Sequence, residues 1–169
     1  MTEEILEIVD EDNRVTGRAA RSRIHREQLR HRAVHIFLFN SRGELFLQKR
    51  ASEKDEFPGY YDSSAAGHVD PQESYADAAS RELEEELGIS AALEKIAEFP
   101  ACRENGWEFT VFYAAVSDDP VCINRAEIVE GGFYPIAALA ARLHREGSLF
   151  TPAFKTLFEC YCRVRASKP

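Results

Sequence analysis

Residues 67–89 carry the sequence GHVDPQESYADAASRELEEELGI, the segment from which the architecture is most readily inferred. A helix is predicted over 74–87, because Ser74 followed three residues later by Asp77 fits a capping box. Gly88 fits the position just after a helix, where a left-handed backbone is common. The side chains of this segment can therefore be mapped onto the faces of a helix.

Three glutamates of the predicted helix share one face. Glu82, Glu85 and Glu86 stand at i, i+3 and i+4, within one arc of about 100°. The arc lies beside a predicted core stripe formed by Ala76, Ala79, Leu83 and Leu87. Like charges at this spacing destabilise a helix, and solvent screens them less near a core, so a positive partner is expected. Clustered carboxylate oxygens suit Mg²⁺ or Mn²⁺, although an ordinary acidic surface helix has the same composition.

The flanking residues extend the helix into a longer pattern. Residues 67–89 match G-x5-E-x7-R-E-U-x-E-E-x-G-U, where U is a bulky aliphatic residue, without a departure. A chance match at a given start is on the order of 10⁻⁸. The sequence resembles the Nudix hydrolase superfamily, and residues 67–89 resemble its Nudix box.

The resemblance implies a fold and an activity. The expected fold is α/β (α+β), namely the Nudix α/β/α sandwich with a mixed β-sheet. We expect one domain over residues 1–169, with an N-terminal extension over about 1–32. The expected activity is divalent-metal-dependent hydrolysis of a diphosphate linkage in a nucleoside diphosphate derivative or a nucleotide. Such chemistry needs positioning and charge neutralisation more than a protein nucleophile.

The resemblance also implies roles for individual residues of the box. Glu82, Glu85 and Glu86 would hold one or more Mg²⁺ or Mn²⁺ ions, and one of them, or a carboxylate elsewhere, would act as general base. Gly67 would offer its backbone carbonyl to the metal, and Arg81 would orient the glutamates. The predicted catalytic residues are therefore Glu82, Glu85 and Arg81.

Other segments of the chain predict both strands and helices. The turn at 40–43 predicts that the strands on either side of it pair as a hairpin. Strands are predicted at 4–9, 14–18, 33–39, 44–49, 93–100, 107–117 and 131–134, and closing helices at 135–146 and 152–163. This mixture of hairpins and crossovers is typical of a mixed sheet covered by helices.

Further motifs narrow the resemblance to the isopentenyl-diphosphate-isomerase-like branch. They are residues 9–17, His31-Arg-Ala-Val34, Leu47-Gln-Lys-Arg50, Phe57-Pro-Gly59 and Gly67-His68. Isomerases of that branch carry a catalytic cysteine just before the glycine–histidine pair, where this chain has Ala66. The sequence therefore favours hydrolysis, with an isomerase-like enzyme and a non-catalytic sensor of a diphosphate metabolite as alternatives.

Three histidines are candidates for a second metal site. By resemblance, His31 and His68 with the upstream His25 would join a box glutamate, Glu86, around Mn²⁺ or Zn²⁺. The alternative, which we favour on sequence alone, treats His25 and His31 as members of a basic arm and His68 as a loop residue. His35 lies in an apolar strand and is predicted to be a hydrogen-bonded core histidine.

Cations and carboxylates outside the box are candidates for substrate contacts. Arg50 and Lys54 follow a predicted strand, and in the similar family such positions bind the substrate diphosphate; ordinary surface charge is the alternative. Either Glu104 or Glu108 could supply an additional catalytic carboxylate. An aromatic residue nearby, Trp107 or Phe109, could stack on a base or lie in the core.

Composition excludes several other classes. The chain has 169 residues, a net charge of −8 and a pI of about 5.2, which disfavours a nucleic-acid polymer or an anionic membrane as partner. Seven arginines against one glutamate in 14–32 form a basic arm, either a solvated surface or a lip that attracts an anionic substrate. The four cysteines show no CxxC spacing and are too few for a disulfide scaffold, so we expect mostly buried thiols in a reducing cytoplasm. A small-molecule diphosphate is the expected partner, and the chain would be a monomer or a homodimer.

Overall fold

The computed structural model of the chain describes residues 3–167. The ends of the predicted domain over 1–169, and the start of the predicted extension over 1–32, lie outside the described residues. The strands are β1 (Ile5–Val9), β2 (Val15–Ala20), β3 (His31–Phe39), β4 (Leu45–Arg50), β5 (Tyr61–Asp62), β6 (Ala65–His68), β7 (Leu93–Phe99), β8 (Glu108–Val116) and β9 (Ile128–Tyr134). The helices are α1 (Arg21–Glu27), α2 (Tyr75–Leu87), α3 (Ile136–Glu146) and α4 (Pro152–Ala166).

A mixed sheet forms the centre of the fold. Its main path runs β5-β4-β3-β8-β7, while β6 adds to β3 and β9 adds to β4. Strands β3 and β8 are parallel, with His31 opposite Glu108 and Phe39 opposite Val116. The other pairs in this sheet are antiparallel, so the mixed sheet predicted from the sequence is confirmed.

Helices cover both faces of this sheet. Alternate residues of β3 point to opposite sides, as a strand requires. Ile36 packs in one cluster with Leu83 of α2. Phe37 packs in another with Leu139 of α3 and Phe154 of α4. This is the α/β/α sandwich that the sequence predicted. None of the helices among residues 3–167 is long and apolar enough to cross a lipid bilayer.

The predicted hairpin of β3 and β4 is largely wrong. The two strands pair only where the turn closes, at Phe39 and Leu45. Beyond that point β6 takes the edge of β3, from Ala33 opposite His68 onwards, and β4 pairs instead with β9 and β5. A local turn signal cannot show that a later strand competes for the same edge.

Helix α2 begins and ends as predicted. The Ser74 side chain accepts a hydrogen bond from the Asp77 backbone N–H at 3.1 Å, and Gly88 ends the helix with φ of 66°. The predicted core stripe needs one correction, because Ala76 is exposed and Ala78 is fully buried in its place. The buried stripe is thus rotated toward the glutamate face, and Glu86 points into the protein rather than along its rim.

The N-terminal segment forms a small layer beside the main sheet. Strands β1 and β2 pair antiparallel, and α1 packs on them through Leu6 and Ile24. The buried carboxylate of Glu7 accepts hydrogen bonds from Arg18 and Arg32 at 3.3 and 3.4 Å. Two arginines of the basic arm therefore bind the buried Glu7 carboxylate, Arg32 from a largely covered position and Arg18 from the surface.

Candidate active site

The three box glutamates differ in exposure along α2. Glu86 is 6% exposed, whereas the side chains of Glu82 and Glu85 are 13% and 56% exposed. Burial raises the pKa of Glu86 to about 8, and the nearby charge of Glu82 adds to this shift. Burial likewise raises the pKa of Glu82 to about 7, although Arg81 opposes it. A set of carboxylates that resists ionisation in this way fits a divalent cation, whose charge would offset the repulsion.

Arg81 ties the glutamates to the loop before the helix. Its guanidinium donates to both oxygens of Glu73, at 3.0 and 2.9 Å. It also donates to Glu82 at 2.6 Å, to Glu85 at 3.3 Å and to the carbonyl oxygen of His68 at 3.0 Å. The planar guanidinium thus fixes two of the three glutamates relative to β6, which is what an orienting residue requires.

Gly67 lies against the carboxylate of Glu82. A Cβ atom built on Gly67 would come within 2.1 Å of the Glu82 Cδ and Oε1 atoms. The absence of a side chain at this position therefore allows β6 and α2 to approach, so that the Gly67 backbone and the glutamate cluster share one site.

A residue of β4 holds the Glu86 side chain in place. Gln48, which is 3% exposed, donates to Glu86 Oε2 at 2.8 Å and to the carbonyl oxygen of Ser64 at 3.3 Å. Lys54 is paired with Glu127, and its charge also acts on Glu86 and Glu82. The structure thus brings a predicted substrate-binding cation to the carboxylate cluster.

A cavity of about 1000 Å³ opens over the cluster. Glu82, Glu86, Arg50 and Lys54 lie in its wall, together with Ala66. Arg50 donates to the buried carboxylate of Asp62 at 3.2 Å and to the carbonyl oxygen of Glu56 at 3.1 Å. The cavity wall therefore carries both carboxylates that could hold a cation and two cations, each also paired with a carboxylate, that could contact an anion.

The three candidate histidines come together beside this cavity, whose wall includes His68. The ring centroids of His25, His31 and His68 are 5.0 to 5.3 Å apart. One possible ligand atom from each ring lies within 4.8 Å of those of the other two. The Nε2 atoms of His25 and His31 are buried without a hydrogen-bond partner among residues 3–167. Buried ring nitrogens left in this way fit a shared metal ion.

The Nδ1 atom of each histidine already has an acceptor. His31 Nδ1 donates to the carbonyl oxygen of Leu29 at 2.9 Å. The Nδ1 atoms of His25 and His68 face the carboxylates of Glu56 and Glu4 at 3.2 and 3.3 Å. In the neutral tautomer that donates from Nδ1 to these acceptors, each Nε2 atom keeps its lone pair, as in metal-ligating histidines.

The carboxylate at the histidine cluster is Glu108, not Glu86. Its Oε1 atom lies 3.7 Å from His31 Nε2 and 4.0 Å from His68 Nε2. Burial would raise the pKa of Glu108, but its contacts with these histidines lower it to about 2. Burial would lower the pKa of His31, yet Glu108 raises it. Our expectation of Glu86 was wrong because β8 brings Glu108 beside β3, whereas Glu86 is engaged by Gln48.

The favoured sequence interpretation of these histidines also needs correction. His31 is fully buried in β3 and is not part of a surface arm, and His68 belongs to β6 rather than to a loop. His25 does lie in the arm, on α1, but its side chain is 19% exposed and turns inward. His35 is hydrogen-bonded as predicted, with Nδ1 2.7 Å from Ser63 Oγ.

The remaining candidates in the third quarter of the chain lie in different places. Glu104 lines the cavity but is exposed, whereas Glu108 is at the histidine cluster. Trp107 is partly buried, with the Arg30 guanidinium 5.4 Å from its ring centre. Phe109 is partly buried on β8.

Sequence reasoning missed Gln48, Glu56 and Asp62. Gln48 continues the apolar run of β4 at a buried position, and a polar residue there was the available signal. Asp62 is 4% exposed and accepts from Arg50 and from Thr151, the residue that caps α4. No sequence pattern marks Glu56, whose side-chain partner, His25, lies far earlier in the chain.

The metal-free protein is expected to lose stability as pH rises between about pH 5 and about pH 9. The raised pKa values of Glu82 and Glu86 mean that the folded state keeps protons that the unfolded chain releases near pH 4.3. Their contribution is complete below the unfolded pKa and is lost as pH rises through the folded values, about 7 and about 8. Melting temperatures in a chelator should show this slope, Glu86→Gln should flatten it, and an equal slope in that variant would contradict the assignment.

The strand–loop–helix unit with its carboxylates and Arg81 is the arrangement expected of a diphosphate hydrolase that uses a divalent metal. Residues 29–154 match the NUDIX domain family. An uncharacterized Nudix hydrolase of Pseudomonas aeruginosa is 40% identical, over 77% of this chain and 78% of that protein. An isopentenyl-diphosphate Delta-isomerase of Burkholderia multivorans is 34% identical, over 93% and 92% of the two chains.

A solved structure shares this fold. A crystal structure from Deinococcus radiodurans superposes with a TM-score of 0.77 at 28% identity, covering 98% of this chain and 100% of the other. The chain belongs to the Nudix family, and with its hydrolase relatives it is a pyrophosphohydrolase. Members of this family use divalent metal ions and act on small-molecule diphosphates.

Proposed function

We propose that this protein hydrolyses a diphosphate linkage in a nucleoside diphosphate derivative or a nucleotide, with Mg²⁺ or Mn²⁺ as cofactor. The observation that carries the proposal is the placement of three α2 carboxylates and two cations, Arg50 and Lys54, around one cavity of about 1000 Å³. The setting proposed is the cytoplasm, where its free cysteines would stay reduced. We propose a monomer or a homodimer.

The roles of the box residues follow from their contacts. Glu82, Glu85 and Glu86 would hold the ion together with the Gly67 carbonyl. The ion, when bound, would neutralise the diphosphate and lower the pKa of the attacking water. Arg81 keeps Glu82 and Glu85 in place, and one of these two glutamates would receive the proton from water.

Arg50 and Lys54 would bind the diphosphate. Arg50 is held by Asp62 and by the Glu56 carbonyl, so its guanidinium is oriented before substrate arrives. A guanidinium of this kind makes charge-assisted hydrogen bonds to phosphate oxygens. When phosphate binds a side chain that is already ordered, less conformational entropy is lost than when a mobile side chain must be ordered.

The screen that tests the proposal measures product formation with Mg²⁺ and with Mn²⁺. Its substrates would be nucleoside di- and triphosphates, nucleotide sugars, dinucleoside polyphosphates, coenzyme A, NADH and isopentenyl diphosphate. Metal-dependent cleavage that disappears in Glu86→Gln supports hydrolysis and identifies the substrate class. Tight binding of a nucleotide without any product would favour a sensor and contradict the proposal.

Replacing Arg50 with glutamine is expected to raise KM about tenfold, with a smaller change in kcat. A charge-assisted hydrogen bond contributes about 1.5 kcal/mol or more, and about 1.4 kcal/mol corresponds to tenfold in binding. Lys49→Gln is the matched control, because Lys49 precedes Arg50 on β4 and contacts Glu130 instead. Equal KM values for the two variants would exclude Arg50 from substrate binding.

We also propose a second divalent ion, Mn²⁺ or Zn²⁺, held by His25, His31, His68 and Glu108. Two observations support this site. The Nε2 atoms of His25 and His31 have no hydrogen-bond partner among residues 3–167, and the Nδ1 atom of each of the three histidines faces an acceptor. Imidazole ligands suit these ions better than Mg²⁺. Binding in calorimetry that persists in excess Mg²⁺ would support the site.

An isomerase-like activity is the second candidate, because the histidine cluster accompanies a similarity to enzymes named isopentenyl-diphosphate Delta-isomerase. Ala66 opposes it, since a methyl group lines the cavity where that family carries a thiol. An isomerised C5 diphosphate in the screen would favour this candidate, and its absence would exclude it.

A further inference from the structure

The loop between β4 and β5 lies between the carboxylate cavity and the N-terminal layer. It carries Lys54 at the cavity, and its Asp55 accepts from Arg21 of α1 at 2.7 Å. The next residue, Glu56, contacts α1 a second time through His25. The loop that presents a substrate-binding cation is therefore fastened to the same helix that presents a histidine of the second site.

Glu56 contacts both the histidine cluster and Arg50. Its carboxylate oxygen Oε1 lies 3.2 Å from His25 Nδ1. Its backbone carbonyl accepts a hydrogen bond from Arg50 Nε at 3.1 Å. Glu56 therefore links the His25 ring of the histidine cluster to the Arg50 guanidinium at the cavity wall.

We propose that Glu56 is a positioning residue that couples ion binding at the histidine cluster to the placement of Arg50. The proposal rests on the second metal site described above. An ion on His25 Nε2 would fix the imidazole ring, and its Nδ1–H would then hold the Glu56 side chain. Because the Glu56 side chain and carbonyl belong to one residue, fixing the first restricts the second, and the Arg50 guanidinium with it.

The exposure of Glu56 allows a positioning role to be distinguished from a structural one by experiment. The side chains of His25 and Glu56 are 19% and 51% exposed. Glu56 is half exposed, and ion pairs that reach solvent contribute little to stability, so loss of its side chain should not unfold the protein. A merely structural contact would leave ion binding unchanged, whereas a carboxylate behind a ligating histidine changes ion affinity about tenfold or more.

The experiment compares Glu56→Ala, Glu56→Gln and the matched control Glu53→Ala. Glu53 is exposed on the same loop and contacts Ser52. Zn²⁺ is titrated by calorimetry in excess Mg²⁺, which occupies carboxylate sites but competes poorly for imidazole. Hydrogen exchange of the Arg50 Nε–H group is followed by NMR with and without one equivalent of Zn²⁺. These measurements need no substrate.

We expect Glu56→Ala to bind Zn²⁺ about tenfold more weakly and to lose the slowing of Arg50 Nε–H exchange that Zn²⁺ causes in the wild type. Glu56→Gln keeps an oxygen that accepts from His25 Nδ1 and should retain most of both effects, and Glu53→Ala should match the wild type. Equal behaviour of Glu56→Ala and Glu53→Ala would overturn the proposal, as would a wild type that binds no Zn²⁺ in excess Mg²⁺. Coupling in a protein that hydrolyses nothing would instead contradict the proposed function alone.

Discussion

Glu86→Gln is expected to lower kcat about a thousandfold. Glu86 is 6% exposed, and its Oε2 atom is already hydrogen-bonded to Gln48, so the substitution keeps shape and contact while removing the charge. Stabilisation of a transferring phosphoryl group by a metal ion is worth several kcal/mol, and about 1.4 kcal/mol corresponds to tenfold in rate. A lost ligand charge therefore predicts a large decrease in turnover, to be measured by product release at saturating substrate and metal.

Glu84→Gln is the matched control for this prediction. Glu84 lies on the same helix, is exposed and faces away from the cluster. Its substitution should leave kcat at the wild-type level because its side chain faces away from the site, and should change stability by about 0.5 kcal/mol at most. The metal-free Glu86→Gln protein should be at least as stable as the wild type, since a buried carboxylate has been neutralised. A variant that folds and keeps a tenth of the wild-type kcat would show that Glu86 is not a principal metal ligand.

Gly67→Ala is expected to reduce activity about a hundredfold while changing the melting temperature little. The added Cβ would lie 2.1 Å from the Cδ and Oε1 atoms of Glu82, so the glutamate must move. Glu82 ends in a flexible carboxylate, which limits the cost to the fold. Its displacement nevertheless breaks the 2.6 Å contact with Arg81 and misplaces a proposed metal ligand. A misplacement of about 1 Å at such a site costs about a hundredfold in rate.

Gly147→Ala provides the comparison for this substitution. Gly147 has φ of −56°, which alanine adopts readily, and a Cβ there meets no atom within 4 Å. Both activity and melting temperature should stay at the wild-type level. If Gly67→Ala also retained wild-type kcat and metal affinity, the close approach of β6 to Glu82 would have no catalytic importance.

The box helix could be predicted from the sequence because its signals are local. Ser74 and Gly88 mark its ends, and the glutamate spacing sets one face without reference to the rest of the fold. How deeply each glutamate side chain is buried could not be predicted in the same way. It depends on Gln48, whose contact with Glu86 spans 38 positions, and on a rotation that buries Ala78 instead of Ala76.

The histidine cluster depends even more on contacts between residues that are distant in the chain, which local sequence signals do not reveal. The sequence offered His25, His31 and His68 as candidates, but their meeting depends on α1 folding over β3 and β6. The carboxylate beside them is Glu108 rather than the expected Glu86, because the sequence does not reveal which residue of a distant strand lies opposite His31. The register of β8 supplies Glu108 instead.

The parallel pairing of β3 and β8 also bears on how quickly the molecule can assemble. Glu108 lies opposite His31 although 77 positions separate them in the chain. Contacts of such long range require closure of a large loop before any pairing energy is gained, and they slow folding. The ends of the box helix are set by contacts within residues 74–88, which need no such loop closure. The histidine cluster can be completed only after β8 has docked, so a chain interrupted before Glu108 would carry the box glutamates without their neighbouring site.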